Sequence, residues 1–440
     1  MKSQRVIVHV FILLALLVLG RWGVIIWFYT ATLYFLSHTF KKEDFSYNLA
    51  ALLLYLIPLE LLARILEADP FVPYEVGKYI TFAVLVYGLL RVRVRKGVWA
   101  LVTLLMVLPG VLMVGMDNPI KEIVFNLLGL VNMLLGAVLF INIHITIEEV
   151  KKVIIQALYS LLVLLFYLIV VSPDLSSVSY ELGALDDLTA DFGSNQVSTV
   201  LGYGILLFGF LFFSKWKFSK VYFMDQILFL TIALWSLLSF SRGGVLGALL
   251  ALGAIVFMNL ISRERYRYRK IKLSSVFGIV LVLAISFYVG NTISGGTLLL
   301  RYQGETRGTL VGSKEKDLNQ LTTGRLEIVL RDADIWRRNP VLGVGVGNAR
   351  VVGKEDYDNA KIPHVEPSRL LAEHGILGLI IILMVYCYPF ILMMQQKGQL
   401  KRNWMVALLL LGLFSTLHAA TRTMISPILF SLAFININEE

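Results

Sequence analysis

Residues 221–261 read VYFMDQILFLTIALWSLLSFSRGGVLGALLALGAIVFMNLI. Two apolar runs, 221–240 and 243–261, meet at Ser241-Arg242-Gly243-Gly244, and the only charges in the stretch are Asp225 and Arg242. A helix of about 20 apolar residues crosses roughly 30 Å of hydrocarbon, whereas a helix of a soluble domain carries its apolar residues as a stripe on one face. The pair reads as a membrane-spanning hairpin. Its turn is so short that Arg242 must sit at the membrane boundary.

The same kind of run recurs along the chain. Working outward, apolar segments fall at 6–20, 22–38, 47–65, 76–91, 97–115, 122–142, 153–172, 195–213, 273–292, 374–394 and 404–420, with a short last one at 424–436. Hydrophobic residues make up 57% of the 440 and charged residues 16%, against about 45–50% and about 25% in soluble domains. The expected fold is an all-α membrane protein, a polytopic bundle of about 12 transmembrane helices, or about 14 if every short segment near the ends crosses.

A formal net charge of +10 raises the question of nucleic acid, but the basic residues lie in short connections between spans. KK at 41–42, RVRVRK at 91–96, KWKFSK at 215–220, RERYRYRKIK at 263–272 and KGQLKR at 397–402 mark cytoplasmic loops. The acidic or neutral connections at 65–75, 117–121 and 173–194 then fall outside. No nucleic-acid partner is expected. The opening MKSQRVIVHVFILLALLVLG imitates a secretory leader, yet no small-x-small cleavage site follows, so it reads as a first span. The single cysteine, Cys387, lies inside an apolar run and excludes a disulfide framework or a thiolate metal site.

Residues 1–292 are expected to form transmembrane helices, 293–373 a large extracytoplasmic loop subdomain and 374–440 the C-terminal transmembrane helices. The loop opens as polar, Gly-containing sequence (294–317). It then turns helical at TTGRLEIVLRDADIWRRNP (322–340), where Leu326, Ile328, Val329, Leu330, Ile335 and Trp336 alternate with charges and Pro340 stops the helix. This amphipathic helix is expected on or near the outer membrane surface.

The residues able to carry chemistry lie on that outer side. Arg242 has two readings: an interfacial arginine that snorkels, or an anion clamp, since a guanidinium matches phosphate oxygens bidentately. Arg325 poses the same choice. Thr323 or Gly324 serves as N-cap before it, and a cation at the end the helix dipole disfavours points to another purpose. In the run Pro340–Asn348, Gly343, Gly345 and Gly347 alternate and let the backbone approach something closely, either within a compact turn or toward a ligand. Gly345, Gly347 and Asn348 are the candidates for a substrate loop; no parallel-sheet context supports a dinucleotide site.

His364 stands in KIPHVEPSRLLAEHGILGL (361–379), ahead of a helix that Pro367 can initiate. A neutral imidazole suits a general base, and Glu366, two residues on, is the rival. His374 reads as a packing or capping residue, while Arg369/Glu373 and Glu60/Arg64 read as i,i+4 pairs. No HExxH, carboxylate cluster or thiol set is present, so neither a metal site nor a cofactor is expected.

Taken in order, these segments resemble the bacterial O-antigen ligase/O-antigen polymerase superfamily of membrane glycosyltransferases. The features are an Asn-containing span start (191–204), the SRGG turn (241–244), a Gly-Arg helix leading to a Pro-x-x-Gly-x-Gly-x-Gly-Asn run (324–348), and HVEPSRLLAEHGILG (364–378). His364, Gly375 and Gly378 fit the spacing of the family's ligase pattern, and Val365 stands where that pattern has Asn, Ser or Gln. The resemblance covers roughly 190–380. It implies a transferase in the cytoplasmic membrane that moves a glycan from undecaprenyl diphosphate to a hydroxyl of another glycan, a lipid-A core or a protein on the outer face. It further implies Arg242 and Arg325 as the phosphate clamp and His364 as the base, in a metal-independent inverting displacement. The alternative from another class is a lipid-linked glycan transporter. Transporters usually carry ionisable residues near mid-bilayer, and here only Glu60, Arg64 and Asp225 answer to that.

Overall fold

The computed structural model describes residues 2–39, 45–113, 120–183, 185–261, 271–313, 315–357, 365–419, 421 and 423–439. The basic runs at 41–42 and 263–270, residues 117–119 of the 117–121 connection and His364 lie outside the described residues. Helix dominates. Among the described residues the two strands, His144–Thr146 and Asn436–Asn438, pair as one small sheet.

Among the described residues, seven helices are long and apolar enough to cross a membrane: Phe45–Ile65, Ile123–Phe140, Ile147–Val171, Ser194–Phe213, Arg242–Ile261, Leu273–Ile293 and Glu366–Met394. Gln4–Leu19, Val98–Leu112 and Tyr222–Leu238 are apolar but shorter. The all-α membrane class follows from these helices. Hydropathy alone does not see breaks within an apolar run. The 97–115 run, for instance, folds as Val98–Leu105 and Leu108–Leu112, with Pro109 in the first turn of the second piece, where its missing N–H costs no helix bond.

Packing groups the chain into two compact units. The first comprises Met1–Gly77, Ile145–Glu315 and Ile437–Glu440. Its centre is the Phe45–Ile65 helix, buried from Leu49 to Arg64. Pro58 inside that helix cannot donate to the Leu54 carbonyl, and the Tyr203 hydroxyl reaches that oxygen instead at 3.5 Å. The Ser194–Phe213 and Arg242–Ile261 helices meet through glycine. A Cβ on Gly244 would lie 1.8 Å from the Ser198 carbonyl oxygen, and one on Gly202 would lie 2.3 Å from that of Gly244. Small residues are what bring apolar helices this close. The 294–317 stretch is not all loop, since it contains the short helices Thr297–Tyr302 and Arg307–Leu310.

The second unit comprises Lys78–His144 and Lys316–Asn436. Here the Ile120–Phe140 and Ile425–Leu432 helices touch at Gly136, where a Cβ would lie 1.9 Å from Ser431 Oγ. The expected amphipathic helix forms as Arg325–Arg338, with Gly324 (φ 79°) as its N-cap and an end two residues short of Pro340. It buries Ile328, Arg331, Asp332 and Ile335, and Ile335 joins Ala349 and Ala372 in a small core. The Glu366–Ile382 helix runs through a π turn, Leu383–Cys387, into Tyr388–Met394. Pro389 has no N–H to give the preceding turn, and the widened turn accommodates that.

Candidate active site

Two regions hold the residues singled out from the sequence, one in each unit. In the first, the Tyr222–Leu238 helix stops, Phe240 takes the left-handed conformation (φ 55°), and Arg242 opens the next helix. Hydroxyl groups tie this turn to the Ser194–Phe213 helix. Ser241 Oγ donates to Asn195 Oδ1 at 2.8 Å, Ser198 Oγ donates to the Ser241 carbonyl at 2.7 Å, and the Gly244 N–H donates to Ser198 Oγ at 3.2 Å. Asn195 thus belongs to the turn, in keeping with the Asn-containing segment noted in the sequence.

Arg301 and Tyr302, absent from the sequence-based candidates, complete this region. Arg301 Nε donates to the Phe240 carbonyl and its Nη1 to the Leu182 carbonyl, each at 3.3 Å. Arg242 Nη1 donates to the Arg301 carbonyl, also at 3.3 Å. Elsewhere in the same unit the expected Glu60/Arg64 pair forms at 2.6 Å, and Arg64 also donates to Gln196 Oε1 at 2.9 Å and stacks 3.9 Å above the Tyr74 ring.

In the second unit the focus is Arg369. Its Nη1 donates to Glu373 Oε2 at 3.0 Å, and its Nη2 to Glu366 Oε1 at 2.5 Å and to the Asn126 carbonyl at 2.9 Å. The sequence paired Arg369 with Glu373; Glu366 is the second partner. All three side chains are buried. Glu366 Oε2 is buried with no hydrogen-bond partner among the described residues. Beside this triad, Asp332 accepts from Arg331 Nη2 at 3.0 Å and from Ser368 Oγ at 2.6 Å. Burial raises the Asp332 carboxyl above its usual range, and the Ser368 and Arg331 contacts pull against that rise.

His374 is buried as well, and neither ring nitrogen has a partner among the described residues. Its ring fills the space left by Gly110, where a Cβ would lie 2.3 Å from Nδ1. Packing, not capping, describes it. Arg325 Nη1 donates to the Thr322 carbonyl at 3.0 Å and to Thr323 Oγ1 at 3.3 Å, across the start of its own helix.

What the glycines approach is the helix after them. Val344 N–H donates to the Ala372 carbonyl and Gly345 N–H to that of Glu373, both at 3.0 Å, while Ile376 N–H donates to the Val341 carbonyl at 3.2 Å. The Glu366–Ile382 helix opens for these bonds at Gly375 (φ 60°, ψ −134°). A Cβ on Gly343 would lie 2.4 Å from the Glu373 carbonyl carbon. Gly347 N–H donates to the Glu373 carboxylate, and Asn348 Nδ2 donates to the Val344 carbonyl at 2.8 Å. The run therefore braces the segment that carries Glu366 and Arg369. A cavity of about 870 Å³ lies along the Arg325–Arg338 helix, lined by Asp317, Asn319, Glu327, Asp334 and Arg338 with Leu326 and Leu330. Among the described residues no group of three or more His, Cys, Asp or Glu side chains is placed to hold a metal ion.

No curated protein and no solved structure matches the chain. Residues 227–383, which run from the helix before the Arg242 turn to the end of the Glu366–Ile382 helix, match the family model described as O-antigen ligase. The similarity to the O-antigen ligase/polymerase family rests on that stretch, which is under half of the chain.

Proposed function

We propose that this protein is a membrane glycosyltransferase of the ligase type, taking a glycan from undecaprenyl diphosphate and joining it to an acceptor hydroxyl on the outer face of the bacterial cytoplasmic membrane. The observation that carries this is the reach of the family match. It takes in the Arg242 turn, the helix that Arg325 opens and the buried carboxylate of Glu366.

The chemistry suits those groups. The donor brings its own leaving group, a lipid diphosphate, so no nucleotide is needed. The acceptor oxygen forms a bond to the anomeric carbon while the bond from that carbon to the diphosphate oxygen breaks, which inverts the centre. The electron pair stays on the phosphate, where Arg242 and Arg325 stabilise the charge as it develops. The hydroxyl proton passes to a base, His364 or Glu366. Guanidinium groups supply positive charge that a divalent cation would otherwise provide. Acceptors of the kind implied are a lipid-A core, a protein or a second glycan chain, the last being the polymerase variant of the same reaction.

Purified protein in proteoliposomes with radiolabelled lipid-linked glycan is the test. Label moving to a supplied acceptor in the presence of EDTA supports the proposal. Label that crosses a vesicle membrane without changing carrier identifies a transporter instead, and transfer that needs magnesium or manganese removes the metal-independent part.

A further inference from the structure

The apolar stretch at 424–436 folds as the short helix Ile425–Leu432, and the turn before it brings a side chain onto Glu366. Ser415 Oγ and Ser426 Oγ lie 2.6 Å apart and close that turn between the Gln399–Thr416 and Ile425–Leu432 helices. Thr421, within the turn, is 3% exposed. Its Oγ1 donates to Glu366 Oε1 at 3.4 Å, across 55 positions of sequence. Thr421 stands beyond the stretch that matches the family model.

The Ile120–Phe140 helix sets this meeting. Its Asn126 carbonyl accepts from Arg369 Nη2 at 2.9 Å. Three residues on, Gly129 leaves the room that Thr421 fills. A Cβ there would lie 2.3 Å from Thr421 Cβ and 2.9 Å from the Thr421 carbonyl oxygen. Positions i and i+3 share one face of a helix, so a single turn seats both Arg369 and Thr421. Both then donate to the same carboxylate oxygen, Glu366 Oε1. The other oxygen, Oε2, is buried and has no partner among the described residues, a condition folded proteins ordinarily avoid. The arrangement is one-sided. Two donors on Oε1 fix the plane of the carboxylate and leave the lone pairs of Oε2 for a proton.

We infer that Thr421 is a positioning residue for the base of the transfer reaction. By holding Oε1 beside Arg369, it presents Oε2 to the acceptor. The acceptor O–H bond breaks, the proton goes to Oε2, and the electron pair left on the oxygen forms the bond to the anomeric carbon. The inference rests on the transferase reading above and takes Glu366, not His364, as the base.

The test is steady-state transfer by the full-length protein in mixed micelles of detergent and lipid. The donor is radiolabelled undecaprenyl-diphosphate-linked glycan, and the rate is that of label leaving the carrier for lipid-A core or a second glycan. Thr421→Val removes the hydroxyl and keeps the branched shape against Gly129. Because the contact is long, kcat should fall only about two- to tenfold, with donor KM and melting temperature near the parent's. Thr421→Ala, which overfills nothing, should show the same kcat loss. Thr421→Ser retains the hydroxyl and should restore most of the rate. Thr423→Val removes a buried hydroxyl that has no partner among the described residues and should leave turnover unchanged. In a Glu366→Gln background, Thr421→Val should cost nothing further, because the hydroxyl acts through that carboxylate.

A parental kcat in both Thr421→Val and Thr421→Ala would overturn the inference. So would an equal further loss in the Glu366→Gln background, or a fully active Glu366→Gln. In each of these cases the transferase reading stands. A parent protein that releases no label from the carrier removes that reading and this role with it.

Discussion

Arg301 donates to the carbonyl oxygens of Phe240 and Leu182, whereas Arg369 lies between the carboxylates of Glu366 and Glu373. Both arginines are buried, and both organise the start of a helix. The partners make the difference. A carbonyl takes up an N–H and brings no full charge of its own, whereas each carboxylate brings one. On the proposed reading, the Arg242 turn receives the anion. The start of the Glu366–Ile382 helix brings two carboxylates to one arginine, and one oxygen, Glu366 Oε2, has no partner among the described residues; on the proposed reading the acceptor proton is taken in this region.

Substitutions that separate these two roles put the comparison at risk. The largest effect belongs to the proton acceptor. A positioned base contributes about 10²–10⁴-fold, so Glu366→Gln or His364→Ala, whichever removes the base, should lower transfer by that much with donor binding kept. Loss in Glu366→Gln alone assigns the base to the carboxylate, and loss in His364→Ala alone assigns it to the imidazole. Two fully active variants would end the general-base account.

Arg325 comes next. Losing one charge-assisted phosphate contact costs about 1.5–3 kcal/mol, so Arg325→Ala should reduce turnover roughly 10- to 150-fold, with Arg325→Lys restoring only part of it. Full activity in Arg325→Ala would return this residue to its local bonds with Thr322 and Thr323. The smallest expected effect is on stability. Gly343→Ala forces a side chain into φ 73°, at about 1–2 kcal/mol for the left-handed backbone alone, and against the Glu373 carbonyl. Its melting temperature should fall, and an unchanged value would mean that the glycine run does not brace the Arg369 region.

Local pattern carried much of this architecture. Apolar runs marked most long helices, the 3.6-residue period marked Arg325–Arg338, and i,i+4 spacing marked both Glu60/Arg64 and Arg369/Glu373. The Arg242 turn was legible because a charge between two apolar runs stands out. What escaped depends on contacts between distant residues. Arg301 meets Phe240 and Leu182 across 61 and 119 positions, and no periodicity records such a meeting. Tyr302 looked like a loop tyrosine because its six-residue helix is too short to show a pattern. Glu366 was picked for its nearness to His364, and its bond to Arg369 at i,i+3 became visible only with the helix start in place. The glycine run was open to two interpretations, since sequence says that a backbone comes close to something and not to what.

The most direct test is a kinetic split between the two regions, measured as steady-state transfer from lipid-linked glycan by purified Arg242→Ala and Glu366→Gln beside the parent. An anion site at the turn and a proton acceptor at the helix start predict a raised donor KM in Arg242→Ala and a lowered kcat with near-parental donor KM in Glu366→Gln. Equal donor KM in the parent and Arg242→Ala, or a Glu366→Gln defect confined to donor KM, would contradict the account.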